Sequence, residues 1–270
     1  MMNPPETDSD SPLRLTRLVA LAAGQDDVKT DVQANHDNNQ WWPTWITDYR
    51  MRMLVAGWST RISYNMIGTY AGVVTQSARI GFDTLTRMPD AEVAALIQPL
   101  GLPAARIGYL RSLTAFLDSR DRDYLLEADA TTVIANFANE VAHASYKVAQ
   151  CSLLYARGYH CGIIPVDSGM ISRLAPALGL SLSSGAIAHE QMRLYLETHA
   201  DTHGDYYTRL RYEQRAVAFP ARATPSWWLH LVLIYFKRRY LNQPHPRVCQ
   251  QRPFCDQVMD CAHSPAMAMA

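Results

Sequence analysis

The sequence predicts an all-α protein, and three observations carry that prediction. Apolar residues recur at a spacing of three to four in most segments, Gly and Asp punctuate them, and no stretch of useful length alternates with period two. The first eleven residues are polar and contain Pro4 and Pro5, and read as a disordered tail. Leu13 to Ala23 has helical spacing and stops at Gly24. Gln25 to Gln40, with four Asp and three Asn, reads as a solvated loop. Trp41, Trp42 and Trp45 then suit a wedge against stacked rings or, the reading favoured by their place in the chain, a staple over the first core helix. That helix, Ile46 to Trp58, is apolar at Met51, Leu54, Val55 and Trp58.

Further helices are expected at Ile62–Gln76, Thr84–Met88, Asp90 to Gly101, Ala104–Leu117, Ala130–Asn136 and Val141–Ala156. The only extended-looking piece, Cys161 to Val166, is short and interrupted by Pro165, which argues against a central strand. Ser168–Leu178, Ala188–Thr198 and Ser226–Leu241 complete about ten helices.

Composition bounds the function. The chain has 270 residues, 48% of them hydrophobic and 19% charged, enough for a sizeable core. Twenty-five basic residues balance twenty-five acidic ones, which argues against a uniformly basic coat but allows a local basic groove. No apolar run reaches the roughly 18–20 residues that span a bilayer, and acids stand near the N-terminus where a signal peptide is basic. A soluble, intracellular protein is expected. Lys29, Lys147 and Lys237 are its only lysines. Five cysteines, an odd number, do not suggest a disulfide scaffold, yet Cys249, Cys255 and Cys261 are evenly spaced.

Two residues carry candidate chemistry. Lys147 sits in a segment with Val141, Ala144, Val148, Ala149, Leu153 and Leu154. Its stem can pack on apolar neighbours while the amine reaches water. Alternatively, partial desolvation lowers its pKa and makes it a nucleophile. Asp167 closes the apolar run Ile163-Ile164-Pro165-Val166 ahead of Ser168-Gly169. It suits an N-cap, and a carboxylate there can also stabilise developing positive charge. His199, Asp201, His203 and Asp205 are metal-ligand types without regular ligand spacing.

Taken together, Lys147 and Val166-Asp167-Ser168-Gly169, twenty residues apart, resemble the catalytic motifs of the helix-hairpin-helix DNA glycosylases of the endonuclease III group. Met53 to Thr60 resembles that family's Leu-Leu-Ser-Ala-Gln-Ala-Thr helix end. Leu100-Gly101-Leu102 with Ala105-Arg106 resembles its Ile-Gly-Leu-x-Lys-Ala segment. The matches run in order from Trp45 to Cys261.

The resemblance implies a two-lobed helix-hairpin-helix fold with the active site in the cleft between lobes. On this reading residues 1–11 are a disordered tail, 12–44 an N-terminal helix and loop packing on the second lobe, and 45–155 a six-helix lobe. Residues 156–263 form the C-terminal lobe with its cysteine-containing tail, and 264–270 a second disordered tail. The implied activity is base excision from damaged double-stranded DNA, with strand cleavage. Lys147 would attack C1′, expel the base and form a Schiff base. Asp167 would stabilise the oxocarbenium-like sugar and help activate the amine. Trp58, Ser59 and Thr60 would meet the substrate, Trp58 falling where the family carries a glutamine that fills the space of the extruded base. Trp58 equally suits simple packing. His143 and Ser145 would meet phosphate, as would Lys237, although basic runs such as Lys237-Arg238-Arg239 are usually solvated faces. A monomeric, cytoplasmic, nucleoid-associated enzyme is expected.

Two departures qualify the resemblance. The family hairpin is glycine-rich, letting amides approach a phosphate closely. Here Val141-Ala142-His143-Ala144-Ser145-Tyr146 contains no glycine, and a Cβ at each position is expected to obstruct the turn and weaken DNA binding. The family tail carries four cysteines that hold a [4Fe–4S] cluster, spaced C-x6-C-x2-C-x5-C. Cys249, Cys255 and Cys261 preserve only the last interval, and the first two family positions, counted back from Cys255, fall on His245 and Arg252. The tail is therefore either a degenerate cluster site with a non-cysteine ligand such as His245 or His263, or a relic loop. Two alternatives stay open for the whole chain: a diverged paralogue acting on a small N-glycoside or biosynthetic intermediate, and a non-catalytic DNA-binding or partner-binding protein.

Overall fold

The computed structural model describes the backbone of residues 6–7 and all of residues 10–36, 41, 44–214, 224–242 and 258. In chain order the helices begin with α1 (Ser11–Ala23), α2 (Asp26–His36), α3 (Tyr49–Trp58), α4 (Ile67–Ile80) and α5 (Phe82–Arg87). They continue with α6 (Asp90–Ile97), α7 (Pro103–Asp118), α8 (Arg122–Glu127), α9 (Ala130–Glu140) and α10 (Tyr146–Arg157). The last are α11 (Ala175–Ala177), α12 (Ile187–Thr202), α13 (Gly204–Glu213) and α14 (Ser226–Phe236). The protein is all-α: the only paired strands among the described residues are Glu6–Thr7 and Leu180–Ser181, which run antiparallel. Residues 6 and 7 were expected in the disordered tail. Instead Thr7 pairs with Leu180, and nearby the buried Ser11 hydroxyl donates to the Leu178 carbonyl.

The chain divides into two compact units. One comprises Met1–Asp37 with His160–Ala270, the other Asn38–Tyr159.

In the first unit α14 packs against α1, α2 and α12. It is buried on nearly all sides, from Trp227 to Phe236, as befits a helix without a polar face. The segment expected to be a loop over 25–40 contains α2. Its polar composition hid a stripe of Val28, Val32 and His36, all buried, on one face.

In the second unit α10 packs on α3, α8 and α9, and α7 on α3 and α6. The core includes Met53, Leu54, Tyr109, Leu113, Phe137 and Leu153. The helix expected over 141–156 begins only at Tyr146, because Ser145 caps it: its Oγ accepts from the Val148 N–H at 3.4 Å. Residues 141–144 form a turn between α9 and α10, which is a helix–hairpin–helix arrangement.

That turn closes without glycine. His143 takes the left-handed conformation, φ +63°. Among side-chain-bearing residues, His, Asn and Asp adopt it most readily. The Ala144 N–H donates to the Val141 carbonyl and the Ala142 N–H to the Ser112 hydroxyl. The His143 ring lies against Gly108 of α7, where a Cβ would stand 3.0 Å from Nε2. The expected obstruction by Cβ atoms is thus relieved by one left-handed histidine and one glycine on a neighbouring helix.

Candidate active site

Asp167 belongs to the first unit and is built into it from three sides. Ile163, Ile164, Pro165 and Val166 are buried and carry the chain to it. The backbone then turns helical at Ser168, and Asp167 caps that start, its Oδ1 accepting from the Met170 N–H at 2.9 Å. Met170–Leu174 continues as a π-helical stretch. The other carboxylate oxygen, Oδ2, accepts from the Lys237 ammonium, which follows directly on α14. Lys237 is 3% exposed and the Asp167 side chain 20%, so the pair is shielded on the lysine side and open on the carboxylate side. Gly169 makes the contact sterically feasible: a Cβ there would lie 3.0 Å from Lys237 Nζ and 3.1 Å from its Cδ.

Lys237 therefore does not meet DNA phosphate from a solvated face, as its place in a Lys-Arg-Arg run suggested. It is buried and ion-paired. A lysine at the end of a helix apolar all round has no solvated face to use, and that was the signal available in the sequence.

The apolar segment is anchored at its other end as well. The Ile164 N–H donates to Glu197 Oε1 at 2.9 Å. Arg193 holds the other oxygen of Glu197 and also grips both oxygens of Glu190. Arg193 and Glu190 are buried to within 1%. Burial raises the Glu197 carboxyl, and the Arg193 charge with the Ile164 N–H offsets this only in part. Sequence reading missed this triad, although Glu190, Arg193 and Glu197 stand at the i, i+3 and i+7 spacing of one helix face.

The remaining site candidates lie in the second unit. Lys147 is exposed, on the first turn of α10, rather than desolvated within a helix. The apolar neighbours that suggested burial, Val148, Leu153 and Leu154, are buried, whereas Lys147 at the helix start is not. His143 and Ser145 are exposed at the hairpin. Trp58 is fully buried, and its indole N–H donates to the Arg106 carbonyl, so it packs and does not present a face to a base. Ser59 and Thr60 follow it, half-buried, with the Ser59 hydroxyl donating to Ala56.

Both neighbouring loops converge on Arg106. This 3%-exposed guanidinium donates to the carbonyls of Trp58, Thr60, Leu100 and Gly101. The loops it ties carry Arg61 at φ +58° and Leu102 at φ +52°, both exposed. Trp41 lies against Tyr70 of α4 with ring centroids 5.9 Å apart, and Trp45 is 54% exposed. Trp42 lies outside the described residues.

Cys249, Cys255 and Cys261, with His245, Arg252 and His263, also fall outside the described residues. Cys151 and Cys161 are half-buried. His199 is occupied otherwise than by metal: its Nε2 meets the Tyr207 hydroxyl at 2.7 Å and its ring lies against His203. Among the described residues no group of three or more His, Cys, Asp or Glu is arranged to hold a metal ion. No described helix is long and apolar enough to cross a membrane.

No family model matches this chain, and no curated protein matches it. A solved structure does: the 3-methyladenine DNA glycosylase MagIII of H. pylori, bound to 1,N6-ethenoadenine. The two share 12% identity at a TM-score of 0.55, over 85% of this chain and 97% of that one. The all-α fold is therefore shared with that DNA glycosylase.

Proposed function

We propose that this protein is a base-excision DNA glycosylase that flips a damaged base from duplex DNA and breaks its N-glycosidic bond. The observation that carries the reading is Asp167, a half-open carboxylate fixed by the Met170 N–H and the Lys237 ammonium, in a fold shared with a DNA glycosylase. Cleaving the bond leaves positive charge on the sugar, and a carboxylate held in place before reaction stabilises that charge without reorganising. Because the neighbour is named for 3-methyladenine and holds 1,N6-ethenoadenine, the substrate class we assign is an alkylated purine. Alkylation at a ring nitrogen puts positive charge on the base and makes it a better leaving group. Flipping such a lesion costs less than flipping a paired normal base.

Strand cleavage is assigned to Lys147. Its amine attacks C1′ and the departing base takes the bond electrons. The sugar ring opens to an imine, loss of a C2′ proton expels the 3′-phosphate, and hydrolysis of the imine restores the lysine. Duplex phosphates are held by the hairpin around His143 and Ser145, whose hydroxyl accepts from Val148 and has its own proton to donate. The three tail thiols, Cys249, Cys255 and Cys261, are proposed as ligands of a degenerate [4Fe–4S] cluster with a fourth, non-cysteine ligand. The enzyme acts as a monomer on chromosomal DNA in the cytoplasm.

One observation favours a second reading, in which water rather than Lys147 attacks and the strand stays intact. Lys237, not Lys147, pairs with Asp167 within its unit. Borohydride trapping on duplexes bearing alkylated adenines or an abasic site, at low salt, separates the readings. A crosslink lost in Lys147→Ala supports the lyase. Base release with no crosslink supports hydrolysis. Tight binding without release points to a non-catalytic DNA-binding protein, and neither binding nor release by folded protein points to a small N-glycoside substrate.

A further inference from the structure

Resting on the glycosylase reading, we infer that Glu197 is a positioning residue for Asp167, acting through the backbone N–H of Ile164. Asp167 is separated from Ile164 by Pro165 and Val166 alone, both buried. Proline fixes its own φ and restricts the residue before it, so displacement at Ile164 is passed along a stiff segment. Glu197 Oε1 accepts the Ile164 N–H at 2.9 Å and is the anchor of that end of the segment. The opposite end is held at the carboxylate itself, by Met170 and Lys237.

Glu197 is itself immobilised. Arg193 Nη1 binds its second oxygen, while Nε and Nη2 of the same guanidinium bind the fully buried Glu190. Three side chains of α12 thereby form a rigid mount, oriented so that one carboxylate oxygen faces the neighbouring backbone amide. A buried amide needs an acceptor, but a backbone or neutral acceptor would satisfy it. Burying two carboxylates around one arginine is costly, and the arrangement is explained by the fixed direction that planar, bidentate geometry confers. Catalytic groups demand such fixing, since a displacement of about 1 Å costs on the order of a hundredfold in rate.

The test compares Glu197→Asp, Glu197→Gln and Glu197→Ala in the full-length chain. Asp keeps the charge facing Arg193 but withdraws its oxygen by one methylene from the Ile164 amide. Gln keeps an oxygen at the right reach and removes the charge. Single-turnover base release from an alkylated-adenine duplex, DNA affinity, and hydrogen exchange of the peptide spanning 163–169 are measured together, with Asp167→Asn as benchmark. The expected result is a rate about tenfold or more lower in Glu197→Asp and Glu197→Ala, with affinity within about twofold and faster exchange over 163–169. Glu197→Gln recovers both rate and exchange to within about threefold of the parent.

The inference is overturned if Glu197→Asp leaves rate and exchange unchanged, if Glu197→Gln is as impaired as Glu197→Ala, or if only affinity falls. If Glu197→Ala does not fold, the Asp and Gln variants decide. The glycosylase reading fails separately, when the parent releases no base or Asp167→Asn matches the parent.

Discussion

The Lys237 ammonium reaches the Asp167 carboxylate across Gly169, joining the C-terminal end of α14 to a helix start in the same unit. One partner is buried and the other half-open. Removing one member of a fully buried pair costs about 3–5 kcal/mol, and the opening at Asp167 reduces that. Lys237→Met is expected to lower stability by about 2–3 kcal/mol in urea unfolding. It should also slow base release by at least about tenfold, since the capping amide alone then orients the carboxylate.

Adding one methyl group should produce a milder form of the same defect. In Gly169→Ala the new Cβ would sit 3.0 Å from Lys237 Nζ, and the ammonium must move. Because the obstructing atom ends a flexible chain, the stability loss should stay near 1 kcal/mol. Base release should fall by roughly tenfold. Equal losses in Ser168→Gly, at the exposed neighbouring position, would point to general loosening of the turn instead.

His199 ties stability to acidity. Burial lowers its pKa to about 4, helped by the neighbouring His203. The folded value lies below the usual 6.5, so the unfolded chain binds the extra proton. The stabilising contribution is complete above pH 6.5 and is lost as pH falls towards 4. Between pH 7.5 and 5 the loss from this one group is about 2 kcal/mol. Urea titrations of His199→Gln should show that part of the acid dependence removed.

Arg106 holds two loops by four carbonyls and no carboxylate. Burial pulls its pKa down, yet an arginine so displaced keeps its charge. Lysine has neither the fork nor the span. Arg106→Lys is expected to destabilise by about 2–4 kcal/mol, as carbonyls of Trp58, Thr60, Leu100 and Gly101 lose donors. Exchange should rise in peptides covering both 58–62 and 100–102, and a rise confined to one loop would refute the tie.

For the tail, anaerobically purified protein should be brown with a broad visible absorption band. Cys255→Ser should lose both the colour and the bound iron. Colourless parent protein without iron would make Cys249, Cys255 and Cys261 a relic loop.

Much of the helical order was legible because apolar spacing and end signals agreed. Leu13–Ala23, Ala104–Leu117 and Ser226–Leu241 all fall on observed helices, shifted by a residue or two or continued as a π-turn. Helix α2 was hidden because two valines and a histidine make too thin a stripe to register against many acids and amides. The start of α10 was misplaced because apolar Val141 and Ala144 extend the pattern beyond a serine cap that only the backbone reveals. At the site, Asp167 as a cap followed from its place after an apolar run. Its partner did not, because position 237 is read locally as a basic run, whereas burial of α14 is decided by helices remote in sequence. Trp58 followed the same logic: aromatic residues near a proposed nucleic-acid face are ambiguous until the loops around Arg106 enclose them.

The left-handed turn at His143 carries a ring that lies against the bare face of Gly108 on α7. In the glycine-rich version of such a hairpin, tolerance comes from a missing side chain inside the turn, and distant positions are free to drift. Here the missing side chain beside the turn is that of Gly108, on α7. The turn is therefore coupled to a site on another helix: a Cβ acquired at 108 would stand 3.0 Å from the imidazole, and the ring at 143 would have to give way to it.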